Sequence, residues 1–482
     1  MRISSHSLSA INHIVVLMLE NRSFDHMLGF LYTDAGNVSP AGQPYEGLTG
    51  TEANPGSSGS PVTVFMIKGG TTGTYVMPGA DPGEGYTATN SQLFGSNTAP
   101  TPPIATNQGF VTNFAYTLGW ESTDSGYSIF PGTVANDIMG MHTPETLPVL
   151  SALARGFAVC DHWYGSVPTE TLPNRAFVHA ATSQGHMDDK TRTFTTPTIY
   201  NALSDRNVSW KIYGYDADPL TRQTFTAITN LPDSQFGQFT DFQADAANGS
   251  LPAYAFLEPS WGSKGNSEHP NYDVALGEQF IHDVYYALRN GPSWDQTLLI
   301  VTYDEHGGCY DHVPPPTSAV PPDNSAGEYG FDFTRFGPRV PTLLIAPLIP
   351  AGSVVRAPGG MPFDHTSILK MVESRWGVPA LTARDAAAPD PGAALSLATP
   401  RTDDPLADVV VPQSKGRHPS GNRPSHLQEV YADLVSRLPV DDAAERRHRR
   451  VRKLETTYDY DRYIKQRLAA WKGSRERHYL EL

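Results

Sequence analysis

The sequence predicts a layered α/β fold with a mostly parallel sheet, and two kinds of pattern indicate it. Three short apolar runs, rich in β-branched residues, have the character of strands buried on both faces: "IVVLML" (14–19), "TLLIVTY" (Thr297–Tyr303) and "TLLIAP" (342–347). Helical patterns lie between and after these runs, as is typical of a parallel sheet covered by helices. We therefore expect all three runs to be parallel strands.

Three segments carry the signals of helices. Segment 273–288 has an apolar stripe and begins after Asp273, a favourable N-cap residue. Segment 364–377 begins with capping residues and stops at Gly377. Segment 426–438 is the third predicted helix.

Composition divides the chain further. Residues 35–140 are rich in Gly, Ser, Thr and Pro, which predicts an elaborated loop or small β subdomain over the sheet. Residues 1–440 form the predicted catalytic domain, and 441–482 a basic helical tail with 12 Lys+Arg against 8 Asp+Glu. The basic run "ERRHRRVRK" (445–453) is interpreted as a solvated helix face or as a contact for an anionic surface.

Overall charge and apolar content exclude some function classes. The net charge of −15 disfavours nonspecific nucleic-acid binding, and the two cysteines make no disulfide framework. No apolar run approaches the roughly 20 residues of a membrane span, so integral membrane association is not expected. No leader pattern precedes the first strand, which predicts a cytoplasmic protein, or a secreted one if a leader has been removed. The oligomeric state stays open.

Polar residues follow two of the predicted strands. Glu20 and Asn21 come after the first run, and Asp304 and Glu305 come after Thr297–Tyr303. Reactive groups gather beyond the carboxyl ends of strands in such sheets, so these side chains are expected to converge. Their oxygens suit Ca²⁺, Mg²⁺ or Mn²⁺, with Zn²⁺ also admissible. In the alternative interpretation the first pair caps a turn and Asp304 pairs with an arginine.

A third segment supplies a hydroxyl nucleophile. In "SVPTETLPNRAF", Thr171 is placed at or just before a helix start, where free backbone N–H groups favour an anion. Beside a metal its hydroxyl can attack phosphorus, and Arg175 can clamp phosphoryl oxygens. The plainer interpretation is that Thr171 only caps the helix.

Histidines flank these segments. His269 lies in a polar loop, and His306 and His312 flank the Asp304–Glu305 pair. Each of them is a candidate proton donor, phosphate contact or ligand. For His306 and His365 a structural role is favoured.

Six motifs together resemble a known family, the bacterial phosphoesterases that include phospholipases C and an acid-phosphatase branch. They cover roughly 12–438 and read "HIVVLMLENRSFDHMLG", "EGLTGTE", "GFAVCDHWYGSVPTETLPNRAF", "LLIVTYDEHGGCYDHVPPP", "FGPRVPTLLIAP" and "DHTSILKMVESRWG". The resemblance implies a three-layer α/β/α sandwich like that of alkaline phosphatase. It also implies a metal held by Glu20, Asn21, Asp304, Glu305 and the nucleophile Thr171.

Two departures from the family pattern stand out. "TET" replaces the "GPT" that many members carry before the nucleophile, which makes Thr169 a minor rival to Thr171. "DPGEG" has Glu84 where many members have His, which changes the charge beside the substrate. We assign substrate binding to Asn174, Glu84 and His312.

The sequence thus predicts a metal-dependent, phospholipase C-like hydrolase that forms a phospho-threonine at Thr171, with His269 and Arg175 as further catalytic residues. Its expected partner is a small phosphate ester or a phospholipid head group. The alternatives are an acid-phosphatase-type monoesterase, an inactive metal- or phosphate-binding protein of the same fold and, more weakly, a sulfatase.

Overall fold

The computed structural model describes residues 6–56, 58–123, 129–414, 422–440 and 454–480, and its elements are numbered along the chain. The strands are β1 (His13–Leu19), β2 (Ala53–Pro55), β3 (Pro61–Thr63), β4 (Phe65–Met66), β5 (Gly140–Met141), β6 (Ala158–Val159), β7 (Trp163–Tyr164), β8 (Trp210–Gly214), β9 (Phe236–Gln238), β10 (Tyr254–Leu257), β11 (Thr297–Tyr303), β12 (Thr342–Ile345), β13 (Ser353–Val354) and β14 (Phe363–Asp364).

The helices are α1 (His6–Ser9), α2 (Phe24–Leu28), α3 (Tyr86–Phe94), α4 (Phe110–Glu121), α5 (Pro148–Gly156), α6 (Thr171–Ala180), α7 (Ile199–Asp205), α8 (Leu220–Thr224), α9 (Thr226–Thr229), α10 (Phe239–Asn248), α11 (Val274–Arg289), α12 (Thr366–Trp376), α13 (Ala383–Ala387), α14 (His426–Ser436) and α15 (Thr457–Leu480). Short 3₁₀ turns occupy Thr33–Ala35, Thr74–Val76, Ala135–Met139, Asp233–Gln235, Trp294–Gln296, Glu328–Gly330 and Pro391–Ala394.

An eight-stranded sheet in the order β13-β6-β12-β11-β1-β10-β8-β9 forms the centre of the fold. β1 runs parallel to both β10 and β11, and its last residue, Leu19, lies opposite Tyr303. Every residue of β11 is buried, so both faces of the sheet are covered. Helices α5, α10 and α11 pack together, as do α6, α12 and α13. The predicted α/β fold with a mostly parallel central sheet is confirmed.

The direction of β12 differs from the prediction. This strand pairs antiparallel with β11 on one side and with β6 on the other. For two consecutive strands to be parallel, the chain must cross back to the other end of the sheet, usually through a helix. Residues 304–341 contain only a short 3₁₀ turn and no crossover helix. The chain therefore re-enters the sheet at the same end that β11 has just left. The apolar run itself carries no information about direction.

The three predicted helices are present. Asp273 caps α11, and its side chain accepts a hydrogen bond from the Ala275 amide. α12 ends at Gly377, whose φ of 65° is left-handed. α14 begins after Ser425, which forms a capping box with Gln428.

Residues 35–140 contain more helix than we predicted. Short strands β2–β5 are present, but α3 and α4 also lie here. The apolar cluster of this region joins Phe110, Phe114 and Met139 to Tyr310, which follows β11 by seven residues. The insertion is therefore packed against the loop that carries Asp304 and Glu305.

The C-terminal helix α15 packs along α14. Their shared apolar cluster includes Trp471 and reaches Leu172 in the first turn of α6 and Trp261. α15 therefore supports the start of the helix that carries Thr171. The basic run 445–453 lies outside the described residues. None of the helices in the described ranges has the length and apolar character needed to cross a bilayer.

Candidate active site

The ends of β1 and β11 bring the predicted oxygen ligands together. Because the two strands are parallel neighbours ending at the same level, Glu20 and Asn21 emerge beside Asp304 and Glu305. Asp304 Oδ1 accepts hydrogen bonds from the backbone amides of Asn21 (2.9 Å) and Glu305 (2.8 Å). This carboxylate therefore ties the two strand ends to each other.

Thr171 is the first residue of α6 and is buried. Its hydroxyl donates to Asn21 Oδ1 at 3.1 Å, so the predicted nucleophile touches one of the predicted metal ligands. The rival hydroxyl, on Thr169, donates to the Met187 carbonyl at 2.7 Å. Geometry therefore favours Thr171, because the Thr169 hydroxyl is occupied in shaping the loop.

Arg175 is directed at the carboxyl end of β1. Its Nε donates to Asp304 Oδ2 at 2.9 Å, and one Nη donates to the carbonyls of Met18 (3.1 Å) and Leu19 (3.0 Å). The guanidinium also lies over the Trp261 ring, 4.6 Å from its centroid. Its other Nη is buried and has no hydrogen-bond partner among the described residues. Only that nitrogen is available for the predicted clamp on phosphoryl oxygens.

Two carboxylate oxygens of this group are buried and, within the described parts of the chain, accept no hydrogen bond: Glu20 Oε1 and Glu305 Oε1. Burial, and then the charge of Asp304, raises the pKa of Glu20 to about 8. The same two causes raise the pKa of Glu305 well above its usual value. Unpartnered buried carboxylate oxygens are costly unless a cation neutralises them. The residues present thus fit a divalent cation.

A pair of glycines lets the second strand end approach the first. Gly307 and Gly308 have φ values of 60° and 64°. A Cβ on Gly307 would lie 2.0 Å from the Asn21 carbonyl oxygen. Gly307 also donates its amide to Glu305 Oε2 at 2.7 Å. The close backbone contact therefore requires glycine in the tight turn at this strand end.

Glu84 adds a carboxylate from the insertion. Its Oε2 accepts a hydrogen bond from Asn21 Nδ2 at 2.6 Å, which fixes the Asn21 amide with its oxygen toward Thr171. Burial, followed by the charge of Asp81, raises the pKa of Glu84 well above its usual value. Glu84 thus lies at the predicted site, next to a predicted ligand.

His269 lies beside Glu84, with Nε2 3.7 Å from Glu84 Oε2. Its Nδ1 is 3.2 Å from the Pro270 carbonyl, which can only accept, so Nδ1 carries the proton. Burial lowers the pKa of His269 to about 4, so the imidazole is neutral near pH 7 and Nε2 presents a lone pair. This arrangement does not favour the predicted role of proton donor.

Two predicted substrate-binding residues have other partners. Asn174 Nδ2 donates to the carbonyls of Val167, Thr169 and Glu170 at 2.8–3.1 Å, and so holds the loop before Thr171 in shape. His312 binds Asp25 at 2.6 Å, in a separate polar cluster. Neither side chain is brought into contact with Thr171.

The histidines for which we favoured structural roles support the strand-end loop. His306 bridges Glu305 Oε2 (2.9 Å) and Gln92 Oε1 (2.7 Å). His365 Nε2 donates to the Asp304 carbonyl at 2.6 Å. Both fix the backbone that presents the carboxylates.

Sequence reasoning missed several acidic residues at the site. Burial, and then the charge of Asp189, raises the pKa of Glu170 to about 8. Burial raises that of Asp189 to about 7, although this carboxylate accepts the Leu172 amide at 2.6 Å. Asp81 was overlooked although it stands in the same "DPGEG" as Glu84. For Glu170 and Asp81 the available signal was proximity in sequence to Thr171 and Glu84, whereas Asp189 lies too far along the chain from any chosen residue to be found in this way.

A cavity of about 1080 Å³ opens beside these groups. Glu84 and Glu170 line it, and the insertion also contributes Trp120. His426 and Tyr460 from α14 and α15 complete the wall. It has room for an organic group much larger than a phosphate.

The sequence is similar to those of known phosphoesterases. The sequence model of the Phosphoesterase family matches residues 11–379. Non-specific phospholipase C6 of Arabidopsis thaliana is 34% identical over 455 residues, covering 90% of this chain and 81% of that protein. Non-specific phospholipase C1 of the same plant is 37% identical over 395 residues, covering 78% and 69%. Phospholipase C B of Mycobacterium tuberculosis (strain ATCC 25618 / H37Rv) is 30% identical over 441 residues, covering 82% and 79%.

Proposed function

The chain belongs to the Phosphoesterase family, whose members hydrolyse phosphoric esters, and we propose that it is a metal-dependent phosphodiesterase of the phospholipase C type that forms a phospho-threonine at Thr171. The observation that carries this proposal is the hydrogen bond from the Thr171 hydroxyl to Asn21, which lies beside the carboxylates that follow β1 and β11. Two of those carboxylates have buried oxygens without a hydrogen-bond partner in the described residues.

The residues that would hold the metal are Glu20, Asn21, Asp304, Glu305 and Thr171. A divalent cation bound there would lower the pKa of the threonine hydroxyl and balance negative charge on the phosphoryl group. The donor oxygens suit Ca²⁺, Mg²⁺ or Mn²⁺, and Zn²⁺ is also compatible with carboxylates. Arg175 orients Asp304 through its 2.9 Å contact, and Glu84 orients Asn21.

Thr171 performs the chemical step. Its oxygen forms a bond to phosphorus as the bond from phosphorus to the leaving alcohol oxygen breaks. The hydroxyl proton passes to solvent, and the departing oxygen takes a proton from water, since His269 Nε2 presents a lone pair. Water then attacks phosphorus, releases the phosphomonoester and restores the threonine. The first turn of α6 offers few free N–H groups to the phosphoryl oxygens, because Leu172 donates its amide to Asp189 and Pro173 has none.

A diester is favoured over a monoester because of the cavity. A volume of about 1080 Å³ next to Glu84 and Glu170 accommodates an organic substituent that a small phosphate monoester does not need. The relatives named phospholipase C support the same choice. We therefore propose a phospholipid or a similar diester as the substrate.

Two measurements on the purified full chain test this proposal. Elemental analysis should find a divalent metal, and Asp304→Asn should lower both the metal content and the turnover by orders of magnitude. p-Nitrophenyl phosphorylcholine should be hydrolysed faster than p-nitrophenyl phosphate.

Each alternative function predicts a different result in these measurements. A preference for the monoester would indicate an acid-phosphatase-type enzyme. Bound metal without turnover of either ester would indicate an inactive binding protein. Near-normal turnover of a folded Asp304→Asn variant would remove Asp304 from the site.

A further inference from the structure

A second group of metal-ligand side chains, two of which line the cavity, lies outside the set assigned to Thr171. It comprises Asp81, Glu84 and His269, each of which offers one ligand atom within 4.8 Å of the others. Asp81 and Glu84 come from the insertion, and His269 from the loop before α11. Three ligand atoms at this spacing match the requirements of one divalent cation.

Two facing atoms of this group, Nε2 of His269 and Oε2 of Glu84, repel one another when neither a proton nor a cation lies between them. With Nδ1 of His269 donating to the Pro270 carbonyl, its Nε2 lone pair points toward Glu84 Oε2 at 3.7 Å. On the other side, Asp81 Oδ1 is 3.9 Å from Nδ1 and accepts no hydrogen bond from any described residue. A lone pair facing a carboxylate is unfavourable unless a proton or a metal ion lies between them. A neutral imidazole is the form that binds metals.

A buried carboxylate behind the group gives a second, independent indication. Glu121, the last residue of α4, is only 3% exposed and lines the same cavity. Both of its oxygens lack a hydrogen-bond partner within the described ranges. Burial, and then the charge of Asp81, raises the pKa of Glu121 to about 9. Such a side chain points to a cation that the neighbouring residues do not provide.

Basic side chains also lie near this group. The charge of Arg22 opposes the rise in the pKa of Asp81 that burial causes, but its guanidinium donates to three backbone carbonyls, those of Met77, Glu268 and His269. Arg423 and His426 line the same cavity, and the charge of His426 opposes the rise in the pKa of Asp81 that burial causes. The cavity wall therefore carries more carboxyl groups than basic side chains where a phosphate ester would have to pass.

We propose that Asp81, Glu84 and His269 bind a second divalent cation, with the carboxyl group of Glu121 behind them. The site borders the Thr171 group through the 2.6 Å hydrogen bond between Glu84 and Asn21. A cation there removes the repulsion between the cavity wall and an anionic ester. The existence of this site does not depend on the proposed reaction, but its role in admitting the ester rests on it.

Counting bound ions tests the proposal without reference to activity. The full chain is stripped with a chelator and titrated with Mn²⁺ by calorimetry, and elemental analysis after gel filtration gives the stoichiometry. We expect two ions per chain. Asp81→Asn should lose one of them, with its affinity falling by more than about tenfold, and Glu84→Gln should behave alike.

Glu429→Gln is the matched control, because Glu429 also lines the cavity but belongs to neither group of ligands. This variant should retain both ions. Asp304→Asn should lose the other ion and keep the one bound by Asp81. Circular dichroism of every variant identifies any that fail to fold, and the remaining variant of the Asp81/Glu84 pair then decides the outcome.

The proposal is overturned if the wild-type chain binds no more than one Mn²⁺, or if folded Asp81→Asn and Glu84→Gln both bind two. Failure of the proposed reaction has a different signature. In that case two ions bind and respond to the variants as described, but neither phosphate ester is hydrolysed.

Discussion

Two groups of buried acidic residues arise from the same two chain segments and differ in how their charge is balanced. Glu20 follows β1 directly and Glu305 follows β11, and each keeps a buried oxygen without a partner in the described chain. A few residues further along, Asp25 and Asp311 form a second group. Arg339 lies between them, 2.8 Å from Asp25 and 2.9 Å from Asp311.

In the second group, Arg339 and His312 balance the charges of the two aspartates. Burial alone would raise the pKa of Asp25, but Arg339 and His312 together lower it. Burial raises the pKa of Asp311 only to about 6, because the same arginine opposes it. Asp25, Asp311 and His312 have metal-like spacing, yet their charge is already balanced by protein groups. Spacing alone therefore does not identify a metal site, and missing neutralisation is the more informative sign.

The largest expected effect tests whether the unbalanced group is the catalytic one. Thr171→Val should lower kcat by at least about 10³-fold, because the attacking oxygen is removed. Thr169→Val is the control, since that hydroxyl only donates to the Met187 carbonyl. It should retain most of the activity. Steady-state kinetics with a chromogenic diester measures both, and a Thr171→Val enzyme within tenfold of wild type would contradict the assignment.

The second prediction concerns removal of the arginine from the balanced group. Arg339→Met leaves two buried carboxylates without their cation and should lower the free energy of unfolding by about 3–5 kcal/mol. Arg437→Met removes an exposed pair with Asp433 and should cost no more than about 1 kcal/mol. Urea unfolding followed by circular dichroism measures both. Equal costs would show that the Arg339 group is not the structural element inferred here.

A third prediction concerns the close contact that the unbalanced group needs. Gly307→Ala and Gly377→Ala both place a Cβ in a left-handed backbone, which costs about 1–2 kcal/mol. Only at Gly307 does the new carbon also collide with a backbone oxygen, that of Asn21. Gly307→Ala should therefore be the more destabilising by roughly 1–3 kcal/mol, and it should weaken Mn²⁺ binding. Thermal unfolding and calorimetry check both effects, and similar losses in the two variants would argue against the contact.

The smallest effect concerns pH. The charge of Asp25 and its hydrogen bond raise the pKa of His312 above its ordinary 6.5, although burial opposes this. A raised histidine pKa contributes stability that is fully present below the unfolded pKa and is lost as the pH rises through the folded pKa. His312→Gln should therefore destabilise the chain by about 1–2 kcal/mol below pH 6.5 and by less at alkaline pH.

Urea unfolding across that pH range measures the His312 effect, and an Asp25→Asn background serves as its control. The pH dependence of the effect should disappear there, because Asp25 is the group that raises the histidine pKa. A destabilisation that is independent of pH would show that His312 acts through packing alone.

The core of the site could be predicted because its geometry follows from local patterns. Adjacent parallel strands end at the same edge of a sheet, so residues after β1 and β11 had to converge. Thr171 could be placed at a helix start from local sequence as well. Pro173 follows it by two residues, and proline is tolerated in the first turn of a helix. Each of these inferences needed only a strand or helix boundary.

Other features could not be inferred from local patterns. His312 stands seven residues after Glu305, and only the fold shows that it turns toward Asp25 and Arg339. The direction of β12 depended on an irregular connection whose path no periodicity records. The helices of the insertion were missed because their sequences lack a strong apolar stripe and are held by packing.

By itself, the sequence determined the α/β class, the family and the oxygen ligands that follow two strands. Only the tertiary structure decided which carboxylates lack a cation, that α15 supports the start of α6, and that Asp81 and Glu84 meet His269. The physical reason is one of range. Strand ends and helix caps are fixed by a few neighbouring residues, whereas the approach of segments nearly two hundred residues apart depends on the packing of the whole chain.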